Sequence, residues 1–225
     1  MVSAIIQSMK KFLLVLLCFI AAFAEAAQPI KVVYIGDSLS LDAFGTHTYT
    51  QLVELYGKDQ VAFYSSCGSS PQSWLDGYRI YSCHCGYKER TPKGNVNAKV
   101  HQTPKLSAIF QLYKPEILIV QQGTNWMDEF SSVSAQRAAD KMAKLGPKII
   151  WIAPPDHSAY SNATKIRVAD LIIATGKTFK FSVINSRLYT DYTRRVTGPD
   201  GVHYGSKASL AWALKVWPEL VKALK

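Results

Sequence analysis

Three residues of the chain have the types and spacing that nucleophilic catalysis requires: Ser38, Asp200 and His203. Ser38 directly follows a short run of β-branched and aromatic residues, and a serine on such a strand-to-helix turn projects its hydroxyl into the crevice beyond the strand. The three-residue spacing of Asp200 and His203 lets the carboxylate face Nδ1 of the imidazole and leaves Nε2 free for a serine hydroxyl. Each pattern alone is unspecific, because a serine in a turn is usually a helix cap.

Two further residues could stabilise the negative charge that develops when a serine attacks a carbonyl. Gly68 follows a second strand-like run, and a glycine there allows its N–H to approach an oxyanion closely. Asn125 follows a third run, and its side-chain amide could donate to the same oxygen. An ordinary turn residue remains the alternative interpretation of both.

The elements that would position these residues alternate along the chain. Apolar runs predict five strands, at 31–35, 61–64, 116–120, 148–152 and 179–184. Helices are predicted at 42–57, 104–113, 133–145, 164–175 and 206–224, whereas 65–102 shows little periodicity. Alternating strands and helices indicate an α/β domain, a three-layer sandwich with a parallel sheet. Ligands of such sheets bind beyond the carboxyl ends of the strands, where Ser38, Gly68 and Asn125 are expected.

At this point the sequence resembles the SGNH hydrolases, the GDSL esterase superfamily. The four matching blocks are Gly36-Asp37-Ser38-Leu39-Ser40, Gly68, Gly123-Thr124-Asn125 and Asp200-Gly201-Val202-His203. The resemblance implies a flavodoxin-like fold with five parallel strands. It also implies Ser38 as nucleophile, His203 as general base and then acid, and Asp200 as the residue that orients His203. The oxyanion hole would be the Ser38 N–H, the Gly68 N–H and the Asn125 amide, with no cofactor and no metal.

Other catalytic classes lack their signatures. No Gly-x-Ser-x-Gly string is present, as an α/β-hydrolase elbow would require. Neither a glycine-rich phosphate loop nor a His-Glu-x-x-His metal site occurs.

Aromatic residues near the predicted site indicate what the substrate could be. Trp74 lies in the long 65–102 segment, Trp126 follows Asn125, and His157 follows the fourth strand. Flat side chains beside a hydrolytic site can stack on sugar rings, although a core role is an equal alternative. We expect Trp74, Trp126 and His157 to contact an acetylated polysaccharide. A lipase or thioesterase, and a glycan-binding protein without turnover, remain open alternatives.

The first 26 residues have the pattern of a secretory signal peptide. Lys10 and Lys11 precede an apolar run over 12–23, and Ala24-Glu25-Ala26 is a small-x-small cleavage site. The run is shorter than the roughly 20 residues of a spanning helix, and the residue before Cys18 is a leucine, which disfavours lipid attachment there. We therefore predict a secreted or periplasmic domain at 27–225 without stable membrane insertion.

Charge and composition narrow the class of protein further. The 225 residues carry a net charge of +10, and removal of 1–26 leaves 24 basic and 15 acidic residues, a net charge of +9. That charge favours an anionic surface such as an acidic polysaccharide, whereas scattered basic residues without a recognition motif speak against nucleic acid. With 48% hydrophobic and 19% charged residues the chain is not disordered.

Three cysteines remain in the mature chain: Cys67, Cys83 and Cys85. In an oxidising compartment two of them can pair. A bridge from Cys67 to either of the others would close a loop of about 17 residues. The sequence leaves the choice between these pairs open.

Overall fold

The structure is a computed structural model that describes residues 30–80, 85–126 and 131–225. The predicted signal peptide at 1–26, including Cys18, lies outside the described residues, and so does Cys83. The described residues all fall within the predicted domain at 27–225, and most of their strands belong to one sheet.

Five parallel strands form the centre of this sheet, in the order β2-β1-β7-β8-β9. Their bounds are β1 Val32–Gly36, β2 Val61–Ser66, β7 Ile117–Gln121, β8 Lys148–Ile152 and β9 Ser182–Ile184. Counted among the parallel strands alone, this is the 2-1-3-4-5 order of flavodoxin-like folds. The order reverses between β1 and β7, which is where such sheets bind ligands.

Helices cover both faces of the sheet. Their bounds are α1 Ala43–Tyr56, α2 Pro71–Asp76, α3 Leu106–Tyr113, α4 Ser132–Ala143, α5 Asn162–Phe179 and α6 Ser206–Leu224. Helices α1 and α6 pack together on one face, and α4 and α5 pack together on the other. The predicted α/β sandwich is therefore confirmed.

The apolar composition of β1 follows from this burial on both faces. Val33 and Ile35 belong to the core beneath α3, α4 and α5, whereas Val32 and Tyr34 belong to the core beneath α1 and α6. All four side chains are inaccessible to solvent. A strand covered on both sides has no polar face, so its sequence reads as a continuous apolar run.

The sheet has seven strands, so the five-strand prediction needs extension. The additional strands are β4 Tyr87–Thr91 and β5 Gly94–Ala98, a hairpin that continues the sheet antiparallel to β2. Two short strands, β3 Arg79–Ile80 and β6 His101–Gln102, pair separately. The segment 65–102 thus contains α2 and the hairpin. The hairpin extends the sheet at the edge nearest Gly68. Within the described part of the chain, no helix has the length and apolar character to cross a membrane.

Candidate active site

The topology gathers the predicted catalytic residues at the carboxyl edge of the sheet. Ser38 lies in a 3-10 turn, Ser38–Ser40, which Asp37 alone separates from the end of β1. Asn125 lies in a second 3-10 turn, Thr124–Trp126, shortly after β7. Because β1 and β7 are adjacent and parallel, both turns meet at the same edge.

Ser38, His203 and Asp200 form one continuous chain of hydrogen bonds. Nε2 of His203 lies 3.0 Å from Oγ of Ser38, and Nδ1 lies 2.6 Å from Oδ2 of Asp200. Ser38 is 8% exposed, and the imidazole lies between it and the more exposed carboxylate. These three side chains have the order and spacing of a nucleophile, a base and the group that orients the base.

Hydrogen bonds keep the Asp200 carboxylate ionised. Partial burial alone would raise the pKa of Asp200, but the His203 ring and two backbone N–H groups lower it to about 2. The N–H groups belong to Val202 and His203 and donate to Oδ1 at 2.9 and 2.8 Å. One carboxylate oxygen therefore fixes the turn, while the other holds the imidazole.

A second carboxyl group, that of Asp37, directly precedes Ser38, and the sequence analysis assigned no role to it. Its Oδ1 accepts the N–H of Leu39 at 2.9 Å and so caps the turn that carries Ser38. Complete burial raises the pKa of Asp37 to about 7, although the Leu39 N–H and the nearby His203 act in the opposite direction. Gln121 and Thr124 also lower that pKa, yet neither meets ordinary hydrogen-bond geometry with Oδ2.

Two backbone N–H groups are available for an oxyanion. Within the described residues, neither the N–H of Ser38 nor that of Gly68 donates to a protein acceptor. Gly68 has a φ of +67°, a backbone conformation that residues with a side chain adopt only with strain. A Cβ at this position would nevertheless meet open space. Backbone conformation rather than crowding thus favours glycine at this position.

The side-chain amide of Asn125 is fixed by a hydrogen bond to the backbone. Its Nδ2 donates to the carbonyl of Ser69 at 2.8 Å, which leaves the second amide hydrogen free. Gly123, two residues earlier, has a φ of +135°, and a Cβ there would meet Pro154 at 2.8 Å. The turn that presents Asn125 therefore needs glycine for both conformation and space.

Trp74 is a core residue, so the prediction that it contacts substrate is wrong. Its side chain is fully buried and packs edge-on against Tyr64. Its indole N–H donates to Oγ of Ser69 at 3.2 Å, and Ser69 supplies the carbonyl that orients Asn125. Trp74 thus helps to hold Ser69, which in turn fixes the side chain of Asn125.

His157 is also covered, and the prediction of a substrate contact is wrong for it as well. It is 1% exposed, and its ring packs edge-on against Tyr160. Burial, reinforced by the charge of Lys165, lowers the pKa of His157 to about 4, so the ring is neutral. Neither ring nitrogen has a hydrogen-bond partner among the described residues.

The residue before it, Asp156, anchors a buried ion pair that the sequence analysis did not foresee. Nζ of Lys165 lies 2.6 Å from Oδ1 of Asp156 and donates to the carbonyl of His157, also at 2.6 Å. The side chains are only 7% and 16% exposed. Lys165 occupies the apolar face of α5 together with Val168 and Ile172. A lysine at that helical spacing was the available signal.

This ion pair is connected to the turn that carries His203. The other carboxylate oxygen of Asp156 accepts the N–H of Tyr192 at 3.0 Å. The Tyr192 hydroxyl in turn donates to the carbonyl of His203 and accepts the N–H of Gly201, each at 3.0 Å. Ser158 donates its N–H to the carbonyl of Gly201 at 2.8 Å. These hydrogen bonds thus hold the turn through the backbone of Gly201 and His203.

A disulfide joins Cys67 to Cys85 and resolves the pairing that the sequence left open. The N–H of Cys67 also donates to the carbonyl of Gly86 at 2.9 Å. Both contacts fix the end of β2, immediately before Gly68, to the start of the antiparallel hairpin.

Two cavities adjoin the site. The first, here called the polar cleft, has a volume of about 500 Å³ and includes Asn125 and Trp126 in its wall. Its other lining side chains are mainly hydroxyl, amide and charged groups: Ser70, Gln72, Ser73, Asp76, Tyr78, Ser134 and Arg137. Trp126, although 8% exposed, is thus the one predicted substrate contact that lies on a cavity beside the site.

The second cavity, here called the catalytic pocket, has a volume of about 270 Å³ and is lined by both Ser38 and His203. Leu39, Leu41, Asp42, Cys85, Tyr204, Ser209 and Trp212 complete its wall. In the described part of the chain, no group of three or more histidine, cysteine, aspartate or glutamate side chains could hold a metal ion.

Solved structures share this fold over most of the chain, so the predicted α/β fold is confirmed. No protein-family model matches the chain, and no curated protein matches its sequence. Among solved structures, TesA has a TM-score of 0.61 at 15% identity, over 86% of this chain and 99% of TesA.

Two further solved structures show the same likeness. The carbohydrate acetylesterase Est24 from Sinorhizobium meliloti has a TM-score of 0.56 at 14% identity, over 87% of this chain and all of that chain. The psychrotrophic esterase EstA from Pseudoalteromonas has a TM-score of 0.57 at 13% identity, over 86% and 98% of the two chains. At these identities the likeness concerns the fold.

Replacing Asn125 with alanine should lower kcat by about 10²- to 10³-fold, the effect of removing one oxyanion donor. Steady-state hydrolysis of p-nitrophenyl acetate measures this. The matched control is Asn95→Ala, on the exposed β5, which should leave kcat unchanged. Unaltered turnover in the Asn125 variant would remove this side chain from the site.

Loss of the Cys67–Cys85 bridge should lower the free energy of unfolding by about 3 kcal/mol, because it closes a loop with a sequence separation of 18. Turnover should fall too, since the bridge lies beside Gly68 and Cys85 lines the catalytic pocket. Denaturant unfolding and esterase assays of Cys67→Ser test both effects, with Cys83→Ser as the control. The same losses in the Cys83 variant would contradict the pairing.

Proposed function

We propose that the protein is a secreted or periplasmic serine esterase that removes O-acetyl groups from cell-wall or extracellular polysaccharide. The observation that carries the esterase assignment is the unbroken hydrogen-bond chain from Asp200 through His203 to Ser38. Within it, His203 and Ser38 are 165 residues apart in sequence. It lies beside two unpaired N–H groups and an oriented amide, which are the donors that a tetrahedral oxyanion requires.

The chemistry follows from this arrangement. Ser38 Oγ attacks the ester carbonyl while His203 Nε2 takes its proton, and the carbonyl oxygen becomes an oxyanion bound by Ser38, Gly68 and Asn125. As the carbon–oxygen bond breaks, His203 returns the proton to the departing alcohol and an acyl-serine remains. Water, deprotonated by His203, then attacks the acyl-serine, releases the acid and restores the Ser38 hydroxyl.

The lining of the polar cleft supports a hydrophilic substrate. Six of its ten lining residues carry hydroxyl or amide groups, and Tyr78, with 46% of its surface exposed, offers a ring face for a sugar. Est24, which has the same fold, is a carbohydrate acetylesterase, and that likeness supports the choice among esters.

Two features of the chain support a location outside the cytoplasm. The Cys67–Cys85 bridge suits an oxidising compartment, and the first 26 residues have the pattern of a cleavable signal. After removal of residues 1–26, 24 basic and 15 acidic residues remain, and the resulting net charge of +9 would attract the protein to anionic cell-wall polymers.

The test compares three substrates: p-nitrophenyl acetate, p-nitrophenyl octanoate and acetylated polysaccharide, with acetate release measured for the last. We expect cleavage of the acetate ester over the octanoate ester, and acetate release from the polymer, both lost in Ser38→Ala. Preference for octanoate would overturn the glycan assignment in favour of a lipid substrate. No Ser38-dependent turnover on any of the three would overturn the esterase assignment.

A further inference from the structure

The catalytic pocket is the cavity that the departing alcohol must enter. His203 Nε2 has to lie within hydrogen-bond distance of the leaving oxygen when it returns the proton. His203 and Ser38 both line the catalytic pocket, whereas the lining of the polar cleft includes neither. The oxyanion amide of Asn125 instead lines the polar cleft. The leaving oxygen of the tetrahedral intermediate therefore faces the catalytic pocket, and its oxyanion faces the polar cleft.

Asp42 places a carboxylate in the wall of the pocket, and this carboxylate makes no strong contact with the rest of the described protein. It occupies the N-cap position of α1, but its side chain makes no capping hydrogen bond. Ser206 Oγ is its hydrogen-bond partner at 3.4 Å from either carboxylate oxygen, longer than an ordinary O–H···O bond. In the described chain no cation pairs with Asp42. An exposed carboxylate of this kind can accept hydrogen bonds from ligand hydroxyl groups.

Trp212 supplies the complementary donor. Its side chain is 1% exposed, stacks on Phe44 and separates the catalytic pocket from a neighbouring cavity of about 130 Å³, because it lines both. Its indole N–H is buried and has no acceptor among the described residues. A buried donor without a partner is costly, and an oxygen of a bound ligand would satisfy it.

We infer that the catalytic pocket is the subsite for the departing alcohol and that it selects a hydroxyl-bearing alcohol, a sugar unit, through Asp42 and Trp212. The inference rests on the proposed function and specifies which part of the substrate is recognised. The carboxylate accepts from a hydroxyl group next to the ester, and the indole donates to a sugar oxygen. With about 270 Å³, the pocket suits a small group better than a polymer, whose further units would extend beyond it.

The test uses Asp42→Ala and two kinds of sugar ester: mono-O-acetylated methyl glycosides, which retain free hydroxyl groups, and their fully acetylated counterparts, which have none. The variant should lose about tenfold or more in kcat/KM on the mono-acetates, because a hydrogen bond to a charged group is removed. Its kcat/KM on the fully acetylated sugars and on p-nitrophenyl acetate should stay within about twofold of the parent.

Asp59→Ala is the matched control, because it removes the same charge from an exposed position just after α1. It should change none of these rates. Trp212→Phe, which keeps a ring against Phe44 but removes the N–H, should lower kcat/KM on sugar esters more than on p-nitrophenyl acetate. Asp42→Ala remains decisive if that core variant fails to fold.

Each other outcome is informative about a different claim. An equal loss on all substrates would show that Asp42 acts on the triad rather than on the alcohol, and would overturn the inference. Unchanged rates on the mono-acetates would overturn it while leaving the proposed function intact. Ser38-dependent cleavage of p-nitrophenyl acetate without cleavage of any sugar acetate would overturn both the glycan assignment and the subsite.

Discussion

Replacement of Ser38 with alanine should lower kcat by about 10⁴- to 10⁶-fold, the scale of loss when a catalytic serine is removed. The hydroxyl lies 3.0 Å from His203 Nε2, and without it no acyl-enzyme forms. Some acceleration over water should remain, because the oxyanion donors and the binding surface persist. Single-turnover assays with p-nitrophenyl acetate measure the loss and the missing acyl-enzyme burst.

The control for this variant has to separate chemistry from folding. Within the described residues, Ser38→Ala removes a single side-chain hydrogen bond, that to His203, so the free energy of unfolding should change by only about 1 kcal/mol. Ser132→Ala, at the exposed start of α4, should retain full activity. If Ser38→Ala kept more than a tenth of the parental kcat, another nucleophile would have to carry the reaction.

The sequence predicted that Ser38, His203 and Asp200 would lie together, because their positions depend on topology more than on packing detail. Strands buried on both faces are visible as apolar runs, and their carboxyl ends must meet at one edge. Ser38, Gly68 and Asn125 each follow such a strand, so their proximity could be inferred. Only the approach of the Asp200–His203 turn to that edge could not be derived from the order of the strands.

The edge hairpin could not be predicted because it lacks both of the usual signals. Strands β4 and β5 are largely polar and half-exposed or exposed, so no alternation of apolar residues marks them. Their connection, Pro92-Lys93, is not one of the Asn-Gly or Asp-Gly pairs that indicate a tight hairpin turn. The sheet consequently has two strands more than expected.

Trp74 and His157 were wrongly assigned because residue type does not reveal which way a side chain points. Trp74 lies in α2 and His157 follows β8, both close in sequence to the site, but both side chains are buried. Asp37 and Lys165 illustrate the opposite case. They are charged residues in buried positions, and their partners, such as Asp156, become evident only when the elements are packed.

The hydrogen bonds of Asp200 permit a substitution that alters proton placement without moving the turn. In Asp200→Asn, the side-chain oxygen can still accept the N–H groups of Val202 and His203, as Oδ1 does now. The amide nitrogen then faces Nδ1 of His203, where a carboxylate oxygen lies at present. Nδ1 must become the acceptor, so the ring proton moves to Nε2.

An imidazole protonated at Nε2 donates to Ser38 and cannot take its proton. We therefore expect kcat to fall by about 10³- to 10⁴-fold in Asp200→Asn, as for other triads with the wrong tautomer. Asp191→Asn, an exposed acid just before the same turn, should have no effect. Loss of less than tenfold in the Asp200 variant would show that Asp200 does not orient the base.

The hydrogen bonds of Asp200 also fix its charge over the pH range of these assays. Because the pKa of Asp200 is about 2, its carboxylate is ionised at every pH between 5 and 9. Titration of Asp200 itself therefore contributes no pH dependence to kcat in that range, and the comparison with Asp200→Asn is between an ionised carboxylate and a neutral amide at every pH.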